Sequence, residues 1–179
     1  QISLSQLGSI KLDKEETKKM VTTIPRSSVL GFIIGVLPGA GSTIASFLAY
    51  GMERNFVKDE EKQKFGKGSV NGLAAPETAN NAACSGSFVP LLTLGIPGSG
   101  TTAVMLGALL GFGIQPGPRL YQTNPEIFWS VIMSMYIGMV ILLILNLPLI
   151  PYIARVLATP RTFLTVSYTH LRAHETYKD

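Results

Sequence analysis

The sequence is short of charge, and the shortage is patterned. Ser27–Met52 contains no Asp, Glu, Lys or Arg, Ser69–Pro118 contains only Glu77 before Arg119, and Ile127–Ala154 contains none. A soluble domain of 179 residues scatters its charges. About 20 apolar residues cross the ~30 Å hydrocarbon layer of a bilayer. Each low-charge stretch is long enough, so the pattern excludes an ordinary soluble domain. The one cysteine, Cys84, excludes an intrachain disulfide and sits among small residues as a packing group. The two histidines, His170 and His174, lack a third partner and make a poor zinc site. The net charge of +4 comes from lysines mixed with acids in flanking segments, which excludes a nucleic-acid footprint. The chain starts at Gln1 without a signal-peptide pattern, and we expect a segment of something longer.

What is plentiful is glycine, 18 residues, and proline, 11. They fall inside the apolar stretches. Leu94–Gly113 reads LGIPGSGTTAVMLGALLGFG, and Gly95 and Gly100 have the spacing of a phosphate-binding loop. The lysine such a loop needs is replaced by Thr101, and an apolar run follows, so nucleotide hydrolysis is not expected. In a membrane helix the same break has another use. The helix after it exposes free N–H groups and the positive end of its dipole. Secondary transporters place such half-helix ends near the bilayer midplane, facing anionic substrate.

The stretch Ser27–Met52 is built the same way, with Leu37-Pro38-Gly39-Ala40-Gly41 at its centre and Ser42 and Thr43 after it. Proline removes a backbone donor and glycine adds freedom, so the middle is a poor helix interior. Each half of roughly a dozen residues reaches only about 18 Å, short of a full span. Both flanks are rich in Lys and Arg, which favour the cytoplasmic side. The segment is therefore expected to enter and return as a re-entrant hairpin.

Expected organisation follows. Residues 1–26 form an amphipathic, cytoplasmic linker, with Asp13 and Glu16 as a helix start and Pro25 as its end. Residues 27–158 form the transmembrane region. It contains broken helices over 27–54 and 76–112 and a full span over 125–150, with Pro76 in a first helical turn and Pro148 and Pro151 kinking or ending the span. Residues 159–179 form a truncated end. Its tail, SYTHLRAHETYKD, does not continue the pattern and resembles adapter-derived peptides at the ends of assembled reading frames, so residues 167–179 are set aside. The fold class is an all-α, polytopic membrane protein with Pro/Gly-broken helices.

Candidate site residues come from the two breaks and from the lone acid. Gly39, Ala40, Gly41, Ser42 and Thr43, with Gly98, Ser99, Gly100, Thr101 and Thr102, offer backbone N–H groups and hydroxyls to substrate carboxylates. The competing reading is packing. It is preferred for Gly31-x-x-x-Gly35 and Gly107-x-x-x-Gly111, which suit close helix contacts. Glu77 would cost roughly 2.5–3.5 kcal/mol at membrane depth and is a functional candidate on that ground. With Asn80 and Asn81 it offers oxygen ligands to a coupling ion, proton or sodium. Its competing reading is a helix-start cap at the interface. No metal or organic cofactor is expected. An enzyme with Glu77 as acid–base lacks a partner nucleophile or base.

These residues resemble the large membrane permease subunit of the bacterial tripartite tricarboxylate transporters. The matching runs are RSSVLGFIIGVLPGAGSTIASFLAY, FGKGSVNGLAAPETANNAACSGSFVPLLTLGIPGSGTTAVMLGAL and GIQPGPRLY. One departure is Asn71, where an acidic residue is expected. The resemblance implies a permease of roughly three times this length with two related halves, this chain lying at the start of the second. It implies a multi-pass protein of the bacterial inner membrane. Its implied partners are a periplasmic solute-binding protein and a small membrane subunit, and its work is gradient-driven uptake of citrate-like carboxylates. A non-transporting scaffold is the alternative.

Overall fold

The computed structural model describes residues 13–157. Among them the chain is helix and loop, with no strand. The chain forms two compact units. One is Leu12–Met135; the described part of the other is Tyr136–Leu157, which is helical throughout.

In the first unit α1 (Lys14–Val36) starts with the expected capping box. The Lys14 N–H donates to Asp13 Oδ1 at 2.7 Å, and the Asp13 N–H donates to Glu16 Oε2 at 3.0 Å. Pro25 does not end this helix, contrary to expectation; it lies inside it. Its ring is on the exposed face, while Thr23, Ser27, Gly31 and Gly35 on the opposite face are buried. Packing along that face offsets the ~3 kcal/mol that an interior proline costs. Helix α2 (Gly41–Phe56) follows the first break, α3 (Asp59–Lys62) is a short connector, and α4 (Val70–Gly86) returns. Here too proline misled. Helix α4 begins at Val70, capped by Ser69, whose Oγ accepts from the Gly72 N–H at 3.1 Å, so Pro76 lies in its interior rather than its first turn. The half-helix expected over Pro76–Leu94 is in fact two pieces, α4 and α5 (Phe88–Leu94), jointed at Ser87.

Helices α1, α2 and α4 pack through stripes at four-residue spacing. These are Thr23, Ser27, Gly31 and Gly35 on α1; Ala45, Ala49 and Glu53 on α2; and Asn71, Ala75, Ala79 and Ala83 on α4. Glu53 meets both Thr23 and Asn71, so the stripes share one register. A methyl group added at Gly31 would stand 2.6 Å from the Ala79 Cα, and one at Gly35 would stand 2.6 Å from the Ala83 Cα. The backbones touch, as small-residue interfaces allow. Gly107 and Gly111 have nothing within 4 Å of such a methyl, so the packing expected of them is not made among the described residues.

Helix α1 and helix α2 run antiparallel, since Thr23 and Arg26 meet Glu53 across the turn at Leu37–Ala40. Gly39 takes φ +82° there, a conformation side chains resist. The second break, Gly95–Ser99, separates α5 from α6 (Gly100–Gly111). Gly95 takes φ +72° and its N–H bonds to the Leu91 carbonyl at 3.0 Å, while the Ile96 N–H bonds to the Pro90 carbonyl at 3.2 Å. Gly95 thus ends the helix in the left-handed conformation that glycine favours. A short turn, α7 (Leu120–Thr123), leads to α8 (Pro125–Leu157). Leu92, Leu120 and Val131 form a small core there with Phe88, Met105 and Phe128. Helix α8 opens at Pro125 as expected and continues through Pro148 and Pro151, neither of which ends it. Over Pro125–Ile150 it is long and apolar enough to cross a membrane, the one such helix among the described residues.

Candidate functional site

The two breaks, far apart in sequence, open onto one cavity of about 570 Å³. Gly39, Gly41, Ser42 and Thr43 line it from the first break, and Gly98, Ser99, Gly100 and Thr101 from the second. Gly98 makes the approach possible. It is buried, and a Cβ there would stand 3.0 Å from the Ser87 Cβ and 3.3 Å from the Gly35 carbonyl oxygen. Of the residues expected at the breaks, two do not line the cavity. Ala40 stands at the cap position of α2, and Thr102 is buried, bonded to Ser99.

The two helix starts differ. Helix α6 caps itself: Ser99 Oγ accepts from the Thr102 N–H at 3.3 Å, and Thr102 Oγ1 accepts from the Ser99 N–H at 2.8 Å. Helix α2 has Ala40 at its cap position and no side-chain bond. Its first-turn N–H groups are therefore orphans with the dipole behind them. The hydroxyls of Ser42, Thr43 and Thr101 have no partner among the described residues. No charged side chain lines the cavity. Such a site offers hydrogen-bond donors to an anion and no acid–base or nucleophilic pair.

The residues expected to hold a coupling ion are not gathered into one pocket. Glu77 is exposed, in the interior of α4 rather than at its start, and its carboxylate makes no hydrogen bond or ion pair among the described residues. The helix-cap reading of Glu77 fails with the earlier start of α4. Asn81 turns its amide back to the Glu77 carbonyl at 2.9 Å. Asn80 lines a second cavity of about 370 Å³ with Ser42, Thr43, Ser46 and Tyr50. No cluster of three His, Cys, Asp or Glu suited to a metal occurs among the described residues.

Sequence reasoning missed a buried polar cluster at the other end of the α1–α2–α4 stripes. Glu53 is fully buried, and its Oε1 accepts from Thr23 Oγ1 at 2.8 Å, an Arg26 guanidinium nitrogen at 2.8 Å and Asn71 Nδ2 at 3.2 Å. Asn71 Nδ2 also donates to Thr23 Oγ1 at 2.8 Å. Arg26 stacks over the Phe56 ring, 5.0 Å from its centre. The signal was present: Ala45, Ala49 and Glu53 share one helix face at i, i+4. Nearby, outside the apolar stretches, Glu61 pairs with Lys19 at 2.8 Å and accepts from Ser69 Oγ at 2.9 Å. Lys19 above all holds the Glu61 carboxyl below its ordinary value, against the opposing effect of burial, with Ser69 and Lys64 adding to the shift.

Over residues 1–174 the chain matches the tripartite tricarboxylate transporter TctA family. The chain belongs to that family. The TctA family is a family of transporter components and not an enzyme family. The chain is 43% identical over 164 residues to an uncharacterized 52.8 kDa protein in the TAR-I ttuC' 3' region of Agrobacterium vitis, covering 92% of this chain and 32% of that protein. It is 47% identical over 134 residues to an uncharacterized protein in the TAR-II ttuC' 3' region of the same organism, covering 75% of this chain and 54% of that one. The chain thus spans about a third to a half of the curated relatives it matches. No solved structure matches it. The family match runs past Ser167 into the tail set aside above, which lies outside the described residues.

Proposed function

We propose that this chain carries part of the substrate path of a binding-protein-dependent secondary transporter, which takes up tricarboxylates or related citrate-like carboxylates with an ion gradient. The observation that carries the reading is the shared cavity: both Pro-Gly breaks face it with glycine backbone and unpartnered hydroxyls. A carboxylate needs several N–H and O–H donors converging on it, and buried, pre-oriented donors bind it better than mobile ones. The uncapped start of α2 is the stronger half of the site, because its N–H groups are not already spent on a cap as those of α6 are.

In this reading the α1–α2 hairpin is re-entrant and the whole protein is multi-pass in the bacterial inner membrane. Both charged flanks of the hairpin lie at one end of it, which agrees with the basic-flank rule. Glu77, Asn80 and Asn81 handle a coupling ion, proton or sodium. The exposed and unpartnered Glu77 carboxylate is available to the rest of the permease. A periplasmic solute-binding protein and a small membrane subunit are its partners.

The test is uptake of labelled citrate by the full-length permease with both partners in vesicles, under imposed proton and sodium gradients and without ATP. Gradient-driven uptake that requires the binding protein, and that falls in Thr43→Val and Thr101→Val, supports the reading. Failure with citrate but success with another carboxylate moves the substrate and keeps the mechanism. Failure across a carboxylate panel in a well-folded complex turns the reading to a scaffold subunit.

A further inference from the structure

The buried cluster around Glu53 is incompletely satisfied, and the deficit has a chemical direction. All three donors reach Oε1, and none reaches Oε2. Asn71 Oδ1 and Ser27 Oγ are also buried without partners. The amide orientation of Asn71 is fixed, because turning it over would set Oδ1 against the carboxylate oxygen that Nδ2 now bonds. Glu53 and Ser27 are fully buried and Asn71 is 4% exposed. Buried acceptors left unmade are costly, more so for a charged group, so three in one helix layer or the next call for an occupant.

We propose that Glu53 Oε2, Asn71 Oδ1 and Ser27 Oγ form a binding site for a hard monovalent cation of sodium's kind. The set is all oxygen, without the sulfur or imidazole that select transition metals. Arg26 already neutralises Oε1 at 2.8 Å, which disfavours a divalent ion. The buried Arg26 Nε, also unpartnered, is a donor that a water accompanying the ion would satisfy. The three ligands come from three helices, so the ion ties α1, α2 and α4 together at the end of the bundle away from the break cavity. Thr23 and Val36 are separated by about 20 Å of α1. The site does not use Glu77, Asn80 or Asn81.

The experiment reads binding rather than transport. The full-length permease containing this chain is held in nanodiscs. Its melting temperature and its equilibrium binding of radioactive sodium ion are measured as sodium replaces choline or potassium at constant ionic strength. The expected result is saturable, sodium-specific stabilisation in the wild type. Apparent affinity falls tenfold or more in Glu53→Gln and measurably in Ser27→Ala. Ser27→Ala removes only a hydroxyl and keeps the test open where Glu53→Gln does not fold. No sodium-specific response in the folded wild type, a response unchanged in Ser27→Ala, or a response to pH alone overturns the site in favour of ordered water or a proton. Loss of citrate uptake with the sodium response intact counts against the transport reading and leaves this site standing.

Discussion

Gly98 of the second break lies against the backbone of Gly35 in α1, with room between them for a hydrogen atom and little more. The contact joins two segments that share no sequence neighbourhood, and it shapes the cavity between them. Gly98→Ala forces the Ser87 Cβ or the Gly35 carbonyl to shift by a few tenths of an ångström. We expect the variant to fold and to lose carboxylate uptake several-fold, read as a raised KM in vesicles. Unchanged uptake would separate the breaks from the substrate.

The glycine pairs in α1 and α6 make opposite forecasts. Gly35→Ala drives a methyl into the Ala83 backbone and should destabilise by about 1–3 kcal/mol, as overpacking does. Gly107→Ala meets nothing, and should change stability by less than about 0.5 kcal/mol. Thermal unfolding of the purified permease decides. A costly Gly107→Ala would show that another part of the protein sits on that face.

The asymmetry of the two helix starts separates affinity from stability. Thr102→Val removes a self-made cap and should cost about 1 kcal/mol of stability. Thr43→Val removes an exposed, unpartnered hydroxyl and should leave stability within about 0.5 kcal/mol. It should weaken carboxylate binding up to tenfold, about 1.4 kcal/mol. Parallel melting and uptake measurements check both arms.

Glu61 gives a pH forecast with a definite sign. Its folded-state value is lowered, chiefly by Lys19. Its stabilising contribution is therefore fully present above the ordinary glutamate value of about 4.3, and is lost as pH falls through the lowered one. Lys19→Met should be less stable than wild type at neutral pH by no more than about 1 kcal/mol, because the lysine is partly exposed and screened. The gap should close below about pH 4. A gap that persists in acid would assign the effect of Lys19 to packing of its stem.

Much of the site was legible because it is made of backbone. Proline beside glycine and hydroxyls marks a helix break from sequence alone, and both breaks lie where LPGAGST and GIPGSGTT put them. What was not legible was proline without glycine. Pro25 and Pro76 read as boundaries, yet each lies inside a helix whose opposite face is locked by contacts between residues far apart in sequence. Glu53 was hidden for a related reason. It stands at the head of a charged run, Glu53–Lys67, and reads as a solvated flank; only the alanine stripe before it shows that it faces inward. Composition described the segment, and periodicity described the residue.

Between the Glu53 cluster and the breaks, the buried contact among α1, α2 and α4 is made largely of glycine, alanine and main chain. Such a surface has few rotamers to exchange. Where leucines meet, two helices can slide by a fraction of a turn while side chains re-settle; here a small displacement drives backbone into backbone. The three helices are thus welded along their length, and any working stroke has to be delivered at the ends of the rod, in the glycine elbows on one side and the carboxylate knot on the other.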